Sequence, residues 1–182
     1  MKQICLLLLL FLIPAILLSE QFVELNYPEY IARSYAGSNK NLINFINRYN
    51  ECCSSGKIDC VRCGDYAASG YKLDRFLSRW NTLNNDYRGS AGEFASLVAG
   101  SNIKIDDFLA KVQNAERESL FEAGIFYAAY AASNQDPEIF KLRYDEICKA
   151  YPDLYIAHIY YAISKHTLDV FIKRYYEVID LK

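Results

Sequence analysis

Histidine is scarce in this chain: His158 and His166 are the only two among 182 residues. Neither has the spacing of a metal ligand or a catalytic base, and no phosphate-binding loop, serine elbow or acid–base pair of carboxylates occurs. The sequence therefore predicts neither an enzyme nor a bound metal or other cofactor. His158 stands among apolar residues of a predicted helix, which favours a structural role for its ring.

An excess of charge of either sign is also missing. The net charge is −2, from 20 basic and 22 acidic residues. Such a balance argues against binding to nucleic acid. The chain has no Asn-x-Ser/Thr glycosylation sequon, which favours a bacterial envelope over a glycosylating secretory pathway.

Long hydrophobic runs are absent apart from residues 4–18, which follow Lys2. This run is shorter than the ~20 residues of a transmembrane helix, and it ends at the small residue Ser19. We expect residues 1–19 to be a signal peptide cleaved before Glu20; a retained membrane anchor is the alternative. The exported product would reach the periplasm or the medium without inserting into the membrane, as one domain of residues 20–182.

What the chain does contain is a repeated pattern. It reads Tyr-Ala-x-Ser, six residues, then Phe-x-x-Arg-aromatic, and the first two and the last two full copies start 31 residues apart. The copies start at Tyr35, Tyr66, Val98, Tyr130 and Tyr161. The third copy matches the pattern only in part: it keeps Ser101 and Phe108 but has Lys111 in place of Arg. Five units at a near-constant period are typical of a repeat array.

The apolar spacing predicts two helices, A and B, in each unit. The units are about residues 26–57, 58–88, 89–115, 116–152 and 153–182. Residues 84–90 are expected to form a loop, and residues 116–133 a single long helix A. Asp136 and Pro137 have the composition of a helix start. The fold class is therefore all-α, a right-handed-type α-solenoid of about five helix-turn-helix hairpins.

The repeated Arg precedes a Glu by three residues in three units. The pairs are Arg48 with Glu51, Arg143 with Glu146, and Arg174 with Glu177. This spacing predicts an ion pair on a solvated helix face, with the Arg stem packed over an aromatic ring. The alternative is a ladder of Arg side chains that binds acidic peptides.

Units four and five resemble the tetratricopeptide-repeat class of α-hairpin arrays. Ala128 matches the small residue of helix A, Tyr144 the aromatic residue of helix B, and Pro152 the terminal proline. The resemblance implies a stack of helical hairpins and a role in protein–protein binding. It assigns no functional residue.

Four cysteines cluster where unit one meets unit two: Cys52, Cys53, Cys60 and Cys63. In an oxidising compartment two disulfides are expected, either 53–60 with 52–63 or 52–60 with 53–63. A four-thiolate zinc site and a redox pair of Cys60 and Cys63 are the alternatives. Cys148 is expected to be a buried thiol.

A row of polar and aromatic residues recurs on helix A of the last two units. Its members are Tyr127, Tyr130, Asn134, His158, Tyr161 and Lys165. Because helix A lines the concave side of such arrays, these residues are the candidate binding face. The alternative is that the rings pack between helices.

Two functions remain open from the sequence. The first is an exported scaffold or adaptor that binds a protein or peptide on the helix A face. The second is a small-molecule-binding component of an envelope uptake or sensing system, suggested by the tyrosine-rich face.

Overall fold

The computed structural model describes residues 28–86, 95–121 and 124–181, so the predicted signal peptide lies outside the described residues. These ranges hold ten helices and no strand, which confirms the predicted all-α class. The helices are α1 (Pro28–Gly37), α2 (Leu42–Ser55), α3 (Cys60–Ala68), α4 (Leu73–Asp86), α5 (Ala95–Gly100), α6 (Ile105–Arg117), α7 (Gly124–Ala132), α8 (Pro137–Ala150), α9 (Tyr155–Ile163) and α10 (Leu168–Ile179). No helix in the described part of the chain combines the length and hydropathy needed to cross a membrane.

The odd-numbered helices are short and mostly buried, whereas the even-numbered helices are longer and amphipathic. In α9, Ala157 and Tyr161 are both almost completely buried. In α10 the buried residues Phe171, Tyr175 and Val178 recur at four and three positions, as one apolar stripe requires. We call α1, α3, α5, α7 and α9 the inner helices, and α2, α4, α6, α8 and α10 the outer helices.

The five units form a closed ring. Each outer helix packs against the inner helix that follows it in the chain: α2 on α3, α4 on α5, α6 on α7 and α8 on α9. Helix α10 has no following inner helix and packs against α1, and the inner helix α9 also contacts α1. A solenoid has a first and a last unit that do not touch. In this chain the first and last units touch, so the structure does not confirm the expected solenoid.

One Phe from each outer helix fills the layer between inner and outer helices. Phe45, Phe76, Phe108, Phe140 and Phe171 are all buried with at most 1% of their surface exposed. Where the unit carries a Tyr at the start of the pattern, that ring meets the Phe of its own unit edge to face. The Tyr35 and Phe45 centroids, for example, are 5.3 Å apart. Such edge contacts are the preferred geometry of aromatic pairs.

Side-chain caps form at three helix starts, one of them the start at Asp136 that the sequence predicted. Asn41, Asp59 and Asp136 each accept a hydrogen bond from a backbone N–H in the first turn of the following helix. Pro137 occupies the first helical position of α8, where its missing N–H has no partner to lose.

Two predicted boundaries are wrong. The expected helix over residues 116–133 is interrupted: α6 ends at Arg117 and α7 begins at Gly124. Ser119 takes a left-handed backbone conformation, φ 52°, and the N–H of Leu120 bonds the carbonyl of Ala115, which is a helix-ending Schellman arrangement. The loop expected from residue 84 begins later, because α4 continues to Asp86.

Candidate functional site

The Ser of the repeat closes the C-terminal end of each inner helix. Its hydroxyl donates to the carbonyl three residues earlier, at 2.7–2.9 Å in all five units. In four of the units the N–H two residues after the Ser also bonds the same hydroxyl oxygen, for example Lys40 N–H to Ser38 at 3.3 Å. The Ser therefore turns the chain and leaves helix-end carbonyls available to other donors.

The repeated Arg supplies those donors from the preceding unit. Nη2 of Arg48 donates to the carbonyl of Tyr66 at 3.0 Å and to that of Tyr71 at 2.6 Å, and it lies over the Tyr66 ring. Arg143 makes the same bonds to Tyr161 and His166. We call each of these contacts, between an outer-helix cation and the end of the next inner helix, a ring joint.

The ion pair expected between Arg and the Glu three residues later is therefore not formed. Both ion pairs in the described part of the chain lie elsewhere, Lys57 with Asp74 and Arg62 with Asp59. The Arg side chains are half-buried and hydrogen-bonded within the ring, which leaves their guanidinium groups engaged rather than presented to an acidic peptide.

The Glu accepts instead from the Tyr of the next inner helix. The Tyr66 hydroxyl donates to Glu51 at 2.5 Å, and the Tyr35 hydroxyl donates to Glu177 at 2.9 Å. Tyr161 makes the equivalent bond to Glu146. Burial, followed by the hydrogen bond to Glu, raises the pKa of Tyr35, Tyr66 and Tyr161 to about 12.

The joint between units three and four is the weakest of the five. Lys111 stands where the others have Arg, and its ammonium reaches the carbonyl of Gln135 at 3.4 Å while lying over the Tyr130 ring. Burial lowers the pKa of this ammonium. A single long bond therefore replaces the three or more that each Arg makes.

A cavity of about 240 Å³ lies on the axis of the ring, at the C-terminal ends of the inner helices. All five inner helices or the turns that follow them contribute to its wall. Small side chains make the space: Ser34, Ala68, Gly100 and Ala132 line it. Because residues from every unit meet here, the cavity exists only in the closed ring.

Asp65 lies at this cavity with 4% of its surface exposed. Its Oδ1 accepts from the Ser34 hydroxyl at 2.9 Å and from the Tyr160 hydroxyl at 2.8 Å, and its Oδ2 accepts from the Ser96 hydroxyl at 2.6 Å. Burial and the charge of Asp65 raise the pKa of Tyr160 well above its ordinary value. Sequence reasoning missed Asp65. The sequence did contain a signal: Asp65 directly precedes the repeated Tyr66 and is charged, whereas the equivalent residue of the last unit is Tyr160.

The aromatic part of the predicted binding face lies inside the ring wall. Tyr130, His158 and Tyr161 are each at most 8% exposed. Tyr127 is half-buried, and its hydroxyl donates to the carbonyl of Phe121 at 2.5 Å. A partner docking on the surface would therefore not reach the three buried rings.

Asn134 and Lys165, the other two members, are exposed. Both line an open groove of about 570 Å³ beside the weak joint, together with Lys104 and Lys111. Asn134 has a left-handed backbone conformation, φ 46°, in the turn after α7. The structure thus separates the predicted face into a buried part and an exposed edge.

The cysteine cluster lies where the sequence placed it, and Cys52 and Cys63 form a disulfide between α2 and α3, with Cα atoms 5.5 Å apart. Cys53 and Cys60 remain thiols, so the structure contains one of the two expected bridges. Burial, together with a hydrogen bond to Cys60, raises the pKa of Cys53 to about 12.

Cys148 is a half-buried thiol, and its sulfur lies 3.2 Å from Nδ1 of His158. The other ring nitrogen of His158 lies 2.8 Å from the Tyr151 carbonyl oxygen. Both His158 nitrogens are thus engaged between α8 and α9.

The sequence matches no protein-family model, and neither the curated proteins nor the solved structures contain a match to it.

Proposed function

We propose that the chain is an exported small-molecule-binding protein whose site is the axial cavity. The observation that carries this proposal is that all five inner helices contribute to one cavity whose wall includes a buried carboxylate, that of Asp65. The aromatic part of the helix A face that a solenoid would offer to a peptide is buried in the ring, at Tyr130, His158 and Tyr161. Binding sites are commonly concave, mostly preformed and furnished with a few placed polar groups.

The disulfide between Cys52 and Cys63 supports the oxidising compartment that an exported protein would occupy. Uptake or sensing in a bacterial envelope remains the proposed setting. We further propose that the ring is a closed relative of tetratricopeptide-like hairpin arrays, on the basis of its repeated helix pairs.

The proposal is tested by filling the cavity. Ala68→Leu places a larger side chain on the cavity wall, whereas Ala110→Leu makes the same change at an exposed position of α6. A metabolite panel is screened by thermal shift against the wild type and both variants. A ligand at a hundred times its dissociation constant stabilises the folded state by ~2.7 kcal/mol.

We expect ligands that stabilise the wild type and Ala110→Leu but not Ala68→Leu. Equal stabilisation of Ala68→Leu would place the ligand outside the cavity and would contradict the proposal. A panel that produces no stabilisation of the wild type also counts against it.

A second candidate, the scaffold or adaptor, rests on the outer surface. Ile139 and Leu142 are 52% and 68% exposed and lie three residues apart on one face of α8. Exposed apolar pairs of this kind are frequent in protein interfaces. Leu142→Asp would abolish capture of a defined exported partner while leaving the thermal midpoint unchanged; unchanged capture would exclude this face.

A further inference from the structure

The carboxylate of Asp65 is buried without an opposite charge bonded to it. Neither ion pair found among the described residues involves Asp65. Arg33 stacks on the Tyr160 ring, with its guanidinium carbon 4.5 Å from the ring centroid, but it makes no hydrogen bond to the carboxylate. A buried charge without an ion-pair partner is costly, so a cation that entered the cavity would be bound favourably.

The carboxylate also has hydrogen-bonding capacity left. An ionised carboxylate accepts at about four lone-pair positions. Three are used by the hydroxyls of Ser34, Ser96 and Tyr160, of which two bond Oδ1 and one bonds Oδ2. Oδ2 can therefore accept one further hydrogen bond, and Asp65 is one of the residues that line the cavity.

The other polar groups on the cavity wall do not compete for that position. The hydroxyls of Ser38, Ser69 and Ser101 donate to carbonyls of their own helices, and they are held there by the repeat. The remaining wall consists of the exposed amide residue Asn39 and of small or apolar residues such as Leu97 and Ala132. The cavity thus combines one negatively charged acceptor with an otherwise uncharged lining.

We propose that the axial cavity takes a small ligand bearing a primary ammonium group, which donates to Oδ2 of Asp65. This assignment rests on the proposed function, since it names the ligand class of the same cavity. A volume of about 240 Å³ equals that of about eight water molecules in the liquid, which suits a ligand of metabolite size. Charge-assisted hydrogen bonds are roughly twice as strong as neutral ones, so the ammonium group would dominate selectivity.

The first test uses the wild-type protein, so that it does not depend on a variant folding. Three probes of matched size are titrated: butylammonium, 1-butanol and butyrate. Binding is followed by amide chemical shifts of Leu97 and Gly100, which line the cavity. Butylammonium should bind at least about tenfold more tightly than butanol, and butyrate should bind weakest.

The second test changes the charge and keeps the shape. Asp65→Asn should reduce butylammonium affinity by about tenfold or more and leave butanol affinity within a factor of about three. Asp153→Asn, an exposed carboxylate in the turn before α9, is the matched control and should bind as the wild type does. Circular dichroism establishes that each variant retains its helices.

The outcomes separate the two proposals. If butanol or butyrate binds in the cavity as tightly as butylammonium, the ammonium assignment is overturned while the cavity remains a binding site. If Asp65→Asn is folded and binds butylammonium undiminished, the role of Asp65 is overturned. If none of the probes shifts the cavity amides, both the ligand class and the proposed function fall.

Discussion

The guanidinium of Arg174 donates to the backbone carbonyl of Tyr35 at 3.0 Å, across 139 positions of the sequence. Arg48 makes the same bond to Tyr66, and Arg143 makes it to Tyr161, in each case from one unit to the next. In an open array, Arg174 would lack an acceptor and the end of α1 would lack a donor. Ring closure satisfies both, so the joint of units five and one is equivalent to the joints within the chain.

Replacing Arg174 should open the ring. Arg174→Met removes the donor to three acceptors, the carbonyls of Tyr35 and Lys40 and the Ser38 hydroxyl. Hydrogen bonds from charged groups contribute ~1.5–3 kcal/mol, and we expect a loss of ~2–4 kcal/mol in the free energy of unfolding. Urea unfolding measures this loss, and small-angle scattering should show a larger radius of gyration.

Lys173→Met, on the exposed neighbour in α10, is the control for this change. It should alter the unfolding free energy by no more than ~0.5 kcal/mol. If Arg174→Met is no more destabilising than Lys173→Met, the closing joint does not stabilise the fold.

The joint at Lys111, between units three and four, allows the opposite experiment, a substitution that should stabilise the ring. Lys111→Arg should form bonds to the Tyr130 and Gln135 carbonyls like those that Arg143 makes one unit later. We expect the free energy of unfolding, measured with urea, to rise by ~1 kcal/mol, because several hydrogen bonds replace one long one. Lys104→Arg, an exposed change beside the same groove, should be neutral.

The gain should also depend on pH. Burial lowers the pKa of Lys111 below its ordinary 10.5, so the folded state binds fewer protons than the unfolded state between the two values. The destabilisation from this ammonium therefore fades as pH rises toward 10.5, whereas Arg does not titrate. The advantage of Lys111→Arg should shrink over that window; an advantage that grows with pH would contradict the burial of Lys111.

Much of the fold was predictable because its signals are local. The repeat spacing predicted the units, and Asp136 with Pro137 predicted the start of α8. Ring closure was not predictable in this way. The sequence shows that each Arg needs a partner, and the Glu three residues later was the partner closest in sequence. The actual partner depends on the angle between successive units, which is a property of the whole array.

The site depends on that same global property. Tyr160 and Asp65 are 95 residues apart, and only closure brings the hydroxyl within 2.8 Å of the carboxylate. The aromatic residues proposed as a binding face were correctly placed on inner helices. Their exposure could not be inferred, because periodicity indicates which residues share a face but not whether that face meets solvent.

Alkaline pH should loosen the joints through their tyrosines. The pKa of Tyr35 is about 12 in the folded protein and 10.0 ordinarily. The stability from this neutral phenol is fully present below ~pH 10 and is lost as pH rises toward ~12. Tyr35→Phe should lower the free energy of unfolding by ~1 kcal/mol at neutral pH, because the hydrogen bond to Glu177 is lost.

Above ~pH 10, Tyr35→Phe should lose stability less steeply than the wild type, as measured by urea unfolding at several pH values. Tyr155→Phe is the control, since Tyr155 is 75% exposed. Parallel curves for Tyr35→Phe and the wild type would show that the Tyr35 phenol does not titrate with unfolding.

The cysteine cluster allows a test of covalent structure. Without reductant, the protein should be lighter than its reduced form by the two hydrogen atoms of one disulfide. Peptide mapping should identify Cys52 and Cys63 as the bridged pair. The two cysteines are 11 residues apart in sequence, so reduction of the bridge should lower the free energy of unfolding by ~2–3 kcal/mol. At ~pH 8 a thiol reagent should label the exposed Cys60 before Cys53, because the Cys53 pKa is raised to about 12.

Oxidised glutathione should then join Cys53 to Cys60, with release of two molecules of reduced glutathione, since these are the two remaining thiols of the cluster. Cys60→Ser should prevent this second bridge and leave the first intact. Mapping that joins Cys52 to Cys60, or Cys53 to Cys63, would contradict the pairing across α2 and α3. One equivalent of zinc bound by the cluster, with all four thiols reduced, would replace the disulfide by the metal site.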